Sequence, residues 1–327
     1  MDSESIKAGI LKSNIRALSK AITLVESKKY EHQLLASKII SQIYTHTGKA
    51  VRIGITGPPG VGKSTLIDIL GKLLLDKRKK LAILAIDPTS HITKGSILGD
   101  KTRMEHLIGA NNVFIRPSPS STSLGGVTYH TREAILLCEA AGFDTVIVET
   151  VGVGQSEINI ANMVDMVILL QLPNAGDELQ GIKKGIIEIA DIIVINKSDK
   201  NNLDRAKKSK YSLEAALSII KPKYDNWKVP VILTSTYENT GFDELIKSID
   251  LFFKFLSDTN MFIENRKKQN LLWLNDLIDL RLKMDFFNNT DKKEKHKKLS
   301  QLVLQGNISP SQAVEELFAK NLLRGGS

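Results

Sequence analysis

The chain has 327 residues, 42% hydrophobic and 25% charged, with a formal net charge of +9. These are ordinary values for a soluble chain able to bury a sizeable core. No apolar run is long enough to span a bilayer, and the N-terminal MDSESIKAGILKSNIRALSK mixes both charges and lacks a signal-peptide core, so no membrane partner is expected. A single cysteine, Cys138, excludes an intramolecular disulfide and points to a cytoplasmic location. Its setting, AILLCEAAGF, predicts a buried and inert thiol. The basic residues are interleaved with acids, as in KKEKHKK, with no aromatic residues among them for base stacking. That pattern predicts solvated helix faces, and no nucleic-acid partner is expected.

Residues 4–45 read as helical, because Ile6, Ile10, Leu11, Ile15, Leu18, Ile22 and Val25 recur at steps near three and four. This N-terminal arm, taken as residues 1–48, should pack on the outside of the domain that follows. VRIGIT at 51–56 reads as a buried strand and Thr65–Leu75 as a helix. Between them lies GPPGVGKS: Gly57, Pro58, Pro59, Gly60, Val61, Gly62, Lys63 and Ser64, followed by Thr65. A glycine-rich turn between strand and helix exposes successive N–H groups at the positive end of the helix dipole, which suits an anion. The spacing G-x-x-x-x-G-K-[ST] is the phosphate loop of nucleoside triphosphatases. Lys63 is expected to reach the β- and γ-phosphates, and the Ser64 hydroxyl to hold Mg²⁺.

Apolar runs then alternate with helical stretches: LAILAI, NVFIRP, DTVIVET, DMVILLQL, DIIVIN and VPVILTS. Most are too apolar to be half-exposed. The expectation is an α/β fold, a P-loop NTPase over residues 49–257, with a mainly parallel sheet covered by helices on both faces. Ligands should sit at the carboxyl ends of the strands.

DIIVIN runs into Asn196-Lys197-Ser198-Asp199. N-K-x-D after a buried strand, well downstream of a phosphate loop, reads guanine. The Asp199 carboxylate accepts from guanine N1–H and the exocyclic amine, the Lys197 stem lies along the base plane, and Asn196 ties the segment to the phosphate loop. A site built on such bonds rejects adenine, whose groups would leave its own unpaired. Thr234-Ser235-Thr236, at the end of the next strand, is where a second base-contacting loop is expected. A third signal is DTVIVETVGVGQSE, where a strand ends in Glu149 and Gly152 follows. A carboxylate and a glycine at that spacing suit a loop that senses the γ-phosphate and Mg²⁺.

After Phe253 the strand pattern stops. Residues 260–285 and 291–304 read as helices, and NISPSQAVEELFAKNLL carries a start signal: Ser309 as N-cap, Pro310 at the first helical position and Gln312 completing a capping box. In LLWLNDLIDLRLKMDFF the apolar positions Leu272, Trp273, Leu277, Leu280 and Leu282 crowd more than one face, and Met284, Phe286 and Phe287 extend them. A helix on a single domain needs one stripe. Residues 258–327 are therefore expected to form a helical tail through which two copies meet as a homodimer.

The chain resembles the MeaB/ArgK-type GTPases, the methylmalonyl-CoA mutase-associated chaperones, whose third motif carries Glu. The likeness lies in GITGPPGVGKSTLID, GSILGDKTRM, RPSPSSTSLGGV, TREAILLCEAAGFDTVIVETVGVGQSE, AGDELQGIKKGIIEIAD and NKSD. The resemblance implies a homodimeric GTPase that uses GTP/GDP and Mg²⁺. It implies association with an adenosylcobalamin-dependent acyl-CoA mutase, GTP hydrolysis being coupled to cofactor loading or to protection of the mutase. By motif it implies that Asp87, Asp100 and Glu149, with Ser64, surround Mg²⁺ and the γ-phosphate. Arg103 is expected to approach the phosphates in one nucleotide state, and Asp177 and Lys183 to belong to a mobile third switch. Lys94, Tyr129 and His130 depart from the family pattern near the first switch, and Gln155 is a candidate for orienting water.

Two other readings compete. A metal-insertion GTPase should carry a Cys/His tract, whereas here one Cys and six scattered His (32, 46, 91, 106, 130 and 296) are found. A transport-associated ATPase or kinase would need a membrane partner, and NKSD disfavours ATP.

Overall fold

The computed structural model describes residues 2–27, 29–77, 79–87, 104–110, 112–119, 126–150, 159–173 and 184–319; the side chains of Asp87, Pro119, residues 126–129 and Lys184 lie outside the description. The chain divides into two compact units, Met1–Asn270 and Leu271–Ser327. The division falls downstream of the 257/258 boundary read from the sequence.

The first unit is built on a seven-stranded sheet in the order β3-β2-β4-β1-β5-β6-β7. The strands are β1 (Val51–Thr56), β2 (Leu81–Asp87), β3 (Val113–Pro119), β4 (Thr145–Thr150), β5 (Met166–Gln171), β6 (Ile192–Ile195) and β7 (Val231–Leu233). Every pairing is parallel. All seven apolar runs of the sequence thus became strands. β4, β5 and β6 are buried along their whole length, because both faces are covered and neither needs polar side chains.

Side chains nonetheless alternate between two cores. Ile168, Leu170, Ile192 and Val194 join Ile53, Ile55, Leu66, Leu70, Phe252 and Leu256 on one face. Leu169, Ile193 and Ile195 point the other way, to Ile187 and Leu213. The first core is covered by α4 (Lys63–Asp76) and α8 (Phe242–Asp258), the second by α6 (Lys184–Ile189) and α7 (Leu203–Ile219).

The N-terminal arm is three helices, α1 (Ser3–Leu11), α2 (Ile15–Val25) and α3 (Tyr30–Ile43). The first break falls at Ser13, whose φ of 57° ends α1, and Asn14 restarts the chain by accepting from the N–H groups of Arg16 and Ala17. The arm packs on α5 (Gly126–Ala140), where Ser13 Oγ donates to Ala141 O at 2.7 Å. Glu26 at the end of α2 receives Arg116 and Ser118 of the edge strand β3.

At the amino ends of the strands lies an ionic network around the buried carboxylates of Asp165 and Glu139. Arg266, near the start of α9 (Met261–Asn288), donates to both oxygens of Asp165 at 2.7 and 2.6 Å and to the carbonyls of Gly48 and Ala50. Asp165 also accepts from Arg52 N, and the Arg52 side chain pairs with Glu139 at 2.8 Å. Gln269 donates to the Ala161 and Val164 carbonyls. The first turns of α9 therefore belong to the sheet domain.

The second unit holds the rest of α9 with α10 (Thr290–Leu304) and α11 (Pro310–Phe318). Phe286 stacks on Phe318 with ring centroids 5.3 Å apart. Ser309 caps α11 by accepting from Gln312 N at 3.1 Å. The reciprocal half of the capping box is not formed, because the Gln312 side chain turns to Glu316. α9 buries none of its residues, and Leu271, Leu272, Leu274, Ile278, Leu282 and Phe287 are all exposed.

Candidate nucleotide-binding site

The phosphate loop leaves the carboxyl end of β1, the central strand, and enters α4. Gly62 is the last loop residue, at φ 95°, and a Cβ there would stand 2.6 Å from Asn196 Nδ2. Only glycine permits both that backbone and that approach. Lys63 is buried, and its ammonium donates to the carbonyls of Gly57 at 2.8 Å and Pro58 at 3.1 Å, inside the curve of the loop. The N–H groups at the start of α4 form the positive end of a fourteen-residue helix, suited to a polyphosphate.

β4 lies beside β1 in register, Ile55 opposite Glu149. That register brings Glu149 Oε1 to 3.0 Å from Ser64 Oγ. A carboxylate and a hydroxyl converging at the mouth of the phosphate loop are hard oxygen donors, and they fit Mg²⁺. Thr150 Oγ1 donates to Thr56 Oγ1 at 3.0 Å directly below, which keeps the two strand ends level.

The second half of the site comes from the ends of β6 and β7. Asn196 is fully buried, and its Nδ2 donates to Val61 O at 2.8 Å. Its Oδ1 accepts from Thr234 Oγ1 at 3.2 Å. Lys197 holds a left-handed backbone, φ 59°, and is exposed. Ser198 N donates to Thr234 O at 3.0 Å, so the 196–199 and 234–236 loops run side by side. Asp199 is half-buried, as is Thr236, and Ser235 is fully buried.

The structure thus brings together the phosphate loop, Glu149, Asn196-Lys197-Ser198-Asp199 and Thr234-Ser235-Thr236. Asp100, Arg103, Asp177, Lys183, Lys94, Gly152 and Gln155 lie outside the described residues, as do the side chains of Asp87 and Tyr129. Among the described residues no cluster of three or more His, Cys, Asp or Glu side chains is arranged to hold a metal ion, and no helix is long and apolar enough to cross a membrane.

Sequence reasoning missed Asp68. One turn beyond Ser64 on α4, it is 4% exposed and accepts from the backbone N–H groups of His106 and Leu107, each at 3.1 Å. Its Oδ2 lies 2.6 Å from His106 Nδ1. The turn after residue 104 is thereby fastened to the phosphate-loop helix. The available signal was a lone carboxylate amid Leu66, Ile67 and Leu70, since a charge on a buried face requires partners.

A strand, glycine loop and helix at the centre of a parallel sheet, with a guanine-type N-K-x-D loop bonded into it, define a P-loop GTPase. The chain belongs to a particular family of them, methylmalonyl Co-A mutase-associated GTPase MeaB, whose model matches residues 18–291. It is 43% identical over 300 residues to GTPase ArgK of Escherichia coli, covering 92% of this chain and 91% of that protein. It is 39% identical over 325 residues to the mitochondrial methylmalonic aciduria type A homolog of Mus musculus, covering 96% and 78%. A crystal structure described as LAO/AO transport system kinase superposes with a TM-score of 0.76 at 36% identity, covering 96% of both chains.

Proposed function

We propose that this GTPase is a chaperone of an adenosylcobalamin-dependent acyl-CoA mutase of the methylmalonyl-CoA type, coupling GTP hydrolysis to loading or protection of the mutase's cofactor. Membership of the mutase-associated family is the observation that carries this reading. The roles of Asp87, Asp100, Arg103, Asp177 and Lys183 rest on the family motifs they match, and those of the other residues on the chemistry of their positions. The phosphate loop and Lys63 bind the triphosphate and offset its charge. Ser64 and Glu149 hold Mg²⁺, together with Asp87 and Asp100, and the cation when bound neutralises charge on the β- and γ-phosphates. Asp199 reads the guanine, with Lys197 along its plane and Asn196 bracing the two halves; the N–H groups of Thr234 and Ser235 are spent on Ile195 O and Thr240 O, which leaves that of Thr236 for guanine O6. Phosphoryl transfer to water needs positioning and charge neutralisation rather than covalent catalysis. Arg103 approaches the phosphates in one nucleotide state, and Asp177 and Lys183 belong to a third switch that responds to the docked mutase.

The exposed apolar side chains on several faces of α9 support a homodimer formed through the tail helices. Light scattering tests that part: twice the chain mass of 36.2 kDa is expected at micromolar concentration. The main test is a pull-down from native cytosol with the chain loaded with a non-hydrolysable GTP analogue. A cobalamin-dependent mutase should be retained with the analogue and released with GDP; no such enzyme in either state would overturn the reading.

A further inference from the structure

Beside Thr236 stands Tyr237, 90% exposed although it sits on a closed loop. Ser235 and Thr240 exchange both backbone hydrogen bonds across the loop, at 3.2 and 3.1 Å. Ser235 Oγ accepts from Glu238 N at 3.0 Å. Asn239 takes a left-handed backbone, φ 53°. Gly241 closes the loop at φ 81°, where a Cβ would stand 2.0 Å from Leu233 O. No other residue fits there without moving the strand end.

This loop is also pinned to the 196–200 loop on both sides of Tyr237. Before it, Ser198 N donates to Thr234 O. After it, Lys200 N donates to Glu238 Oε1 at 3.3 Å. The backbone that carries Tyr237 is therefore fixed next to the loop that carries Lys197 and Asp199, and the ring stands in solvent there. A large aromatic face presented to solvent on a closed loop is a stacking platform, and a purine is a ligand with a π-face of matching size.

We propose that Tyr237 stacks on the guanine base of bound GTP and GDP, supplying affinity that the hydrogen bonds of Asp199 do not. The proposal rests on the assignment of Asn196–Asp199 as the base-reading loop. Stacking is indifferent to the phosphate chain, so its loss weakens GTP and GDP alike. It depends on a ring and not on a hydroxyl, so phenylalanine substitutes for tyrosine. A nucleotide analogue without a base gains nothing from it.

The test is calorimetric titration of the full chain with GTP, GDP and ribose 5′-triphosphate. Tyr237→Ala should raise the Kd of GTP and GDP by about tenfold each, leave that of ribose 5′-triphosphate within twofold, and Tyr237→Phe should restore wild-type affinity. If Tyr237→Ala binds GDP within twofold of wild type while Asp199→Asn binds it weakly, the stacking role is overturned and the base-reading loop stands. If Asp199→Asn also binds GTP as tightly as wild type, the base-reading assignment itself fails and the stacking role falls with it. Equal weakening toward ribose 5′-triphosphate would mean that Tyr237 acts by shaping the loop, and it would overturn the proposal too.

Discussion

Asn196 Nδ2 donates to the carbonyl oxygen of Val61 over 2.8 Å, so the loop after β6 is fastened to the middle of the phosphate loop. The two recognition elements therefore do not move independently. Asn196→Ala leaves the Val61 carbonyl and the Thr234 hydroxyl without their partner in a buried place. It should lower stability by about 1–3 kcal/mol and weaken GTP binding as well. Urea denaturation with and without GTP separates the two effects; unchanged stability would show that water replaces the amide.

Lys63→Ala should reduce GTP turnover by at least about a hundredfold, because the β/γ-phosphate charge loses its nearest cation. Single-turnover hydrolysis measures this. Turnover kept within about tenfold, or roughly 1.4 kcal/mol, would mean that another group fills the role.

Arg266→Ala should destabilise the chain by about 3–5 kcal/mol, since Asp165 would remain buried with its strongest partner gone. A lowered denaturation midpoint with an unchanged slope would report that loss. A midpoint equal to wild type would mean that Arg52 N alone satisfies Asp165.

Burial pushes the Cys138 thiol well above its ordinary range, an effect reinforced by Glu139. A thiol-specific reagent at pH 8 should leave the native chain unmodified and should label one thiol per chain in denaturant. Rapid native labelling would contradict the burial.

Burial lowers the pKa of His130 from its ordinary value of 6.5, against an opposing pull from Glu26. The folded state thus disfavours the charged imidazole relative to the unfolded chain, which takes up a proton below about pH 6.5. The unfolded state binds more protons, so stability falls as pH drops through that value. His130→Leu should flatten this fall between pH 7.5 and 5.5 in paired urea titrations. A variant with the wild-type slope would place the pH sensitivity elsewhere.

Much of the fold was legible because its signals are local. Each strand is a short apolar run with a turn after it, and a strand buried on both faces cannot be mistaken for a half-exposed one. The phosphate loop and N-K-S-D announce themselves by spacing, since glycine, lysine and hydroxyl must fall at fixed steps. The breaks within the N-terminal arm were less visible, because its apolar period runs on through Ser13 and only a left-handed backbone there ends the helix. The first turns of α9 were read as tail because nothing local joins them to the sheet. Arg266 belongs there through Asp165, 101 residues away. Asp68 was hidden for the same reason: its partners His106 and Leu107 lie beyond a different strand.

The position of β1 at the centre of the sheet also governs how the chain comes off the ribosome. β1 pairs only with β4 and β5, which are made much later, and β7, which supports the Thr234 loop, is the last strand of all. The phosphate loop emerges early but lacks one flank until β4 is made and the other until β5 is made. Contacts this distant along the chain form slowly, and half-made sheets present open strand edges. The newborn GTPase therefore passes through a long interval in which its own nucleotide cannot yet stabilise it.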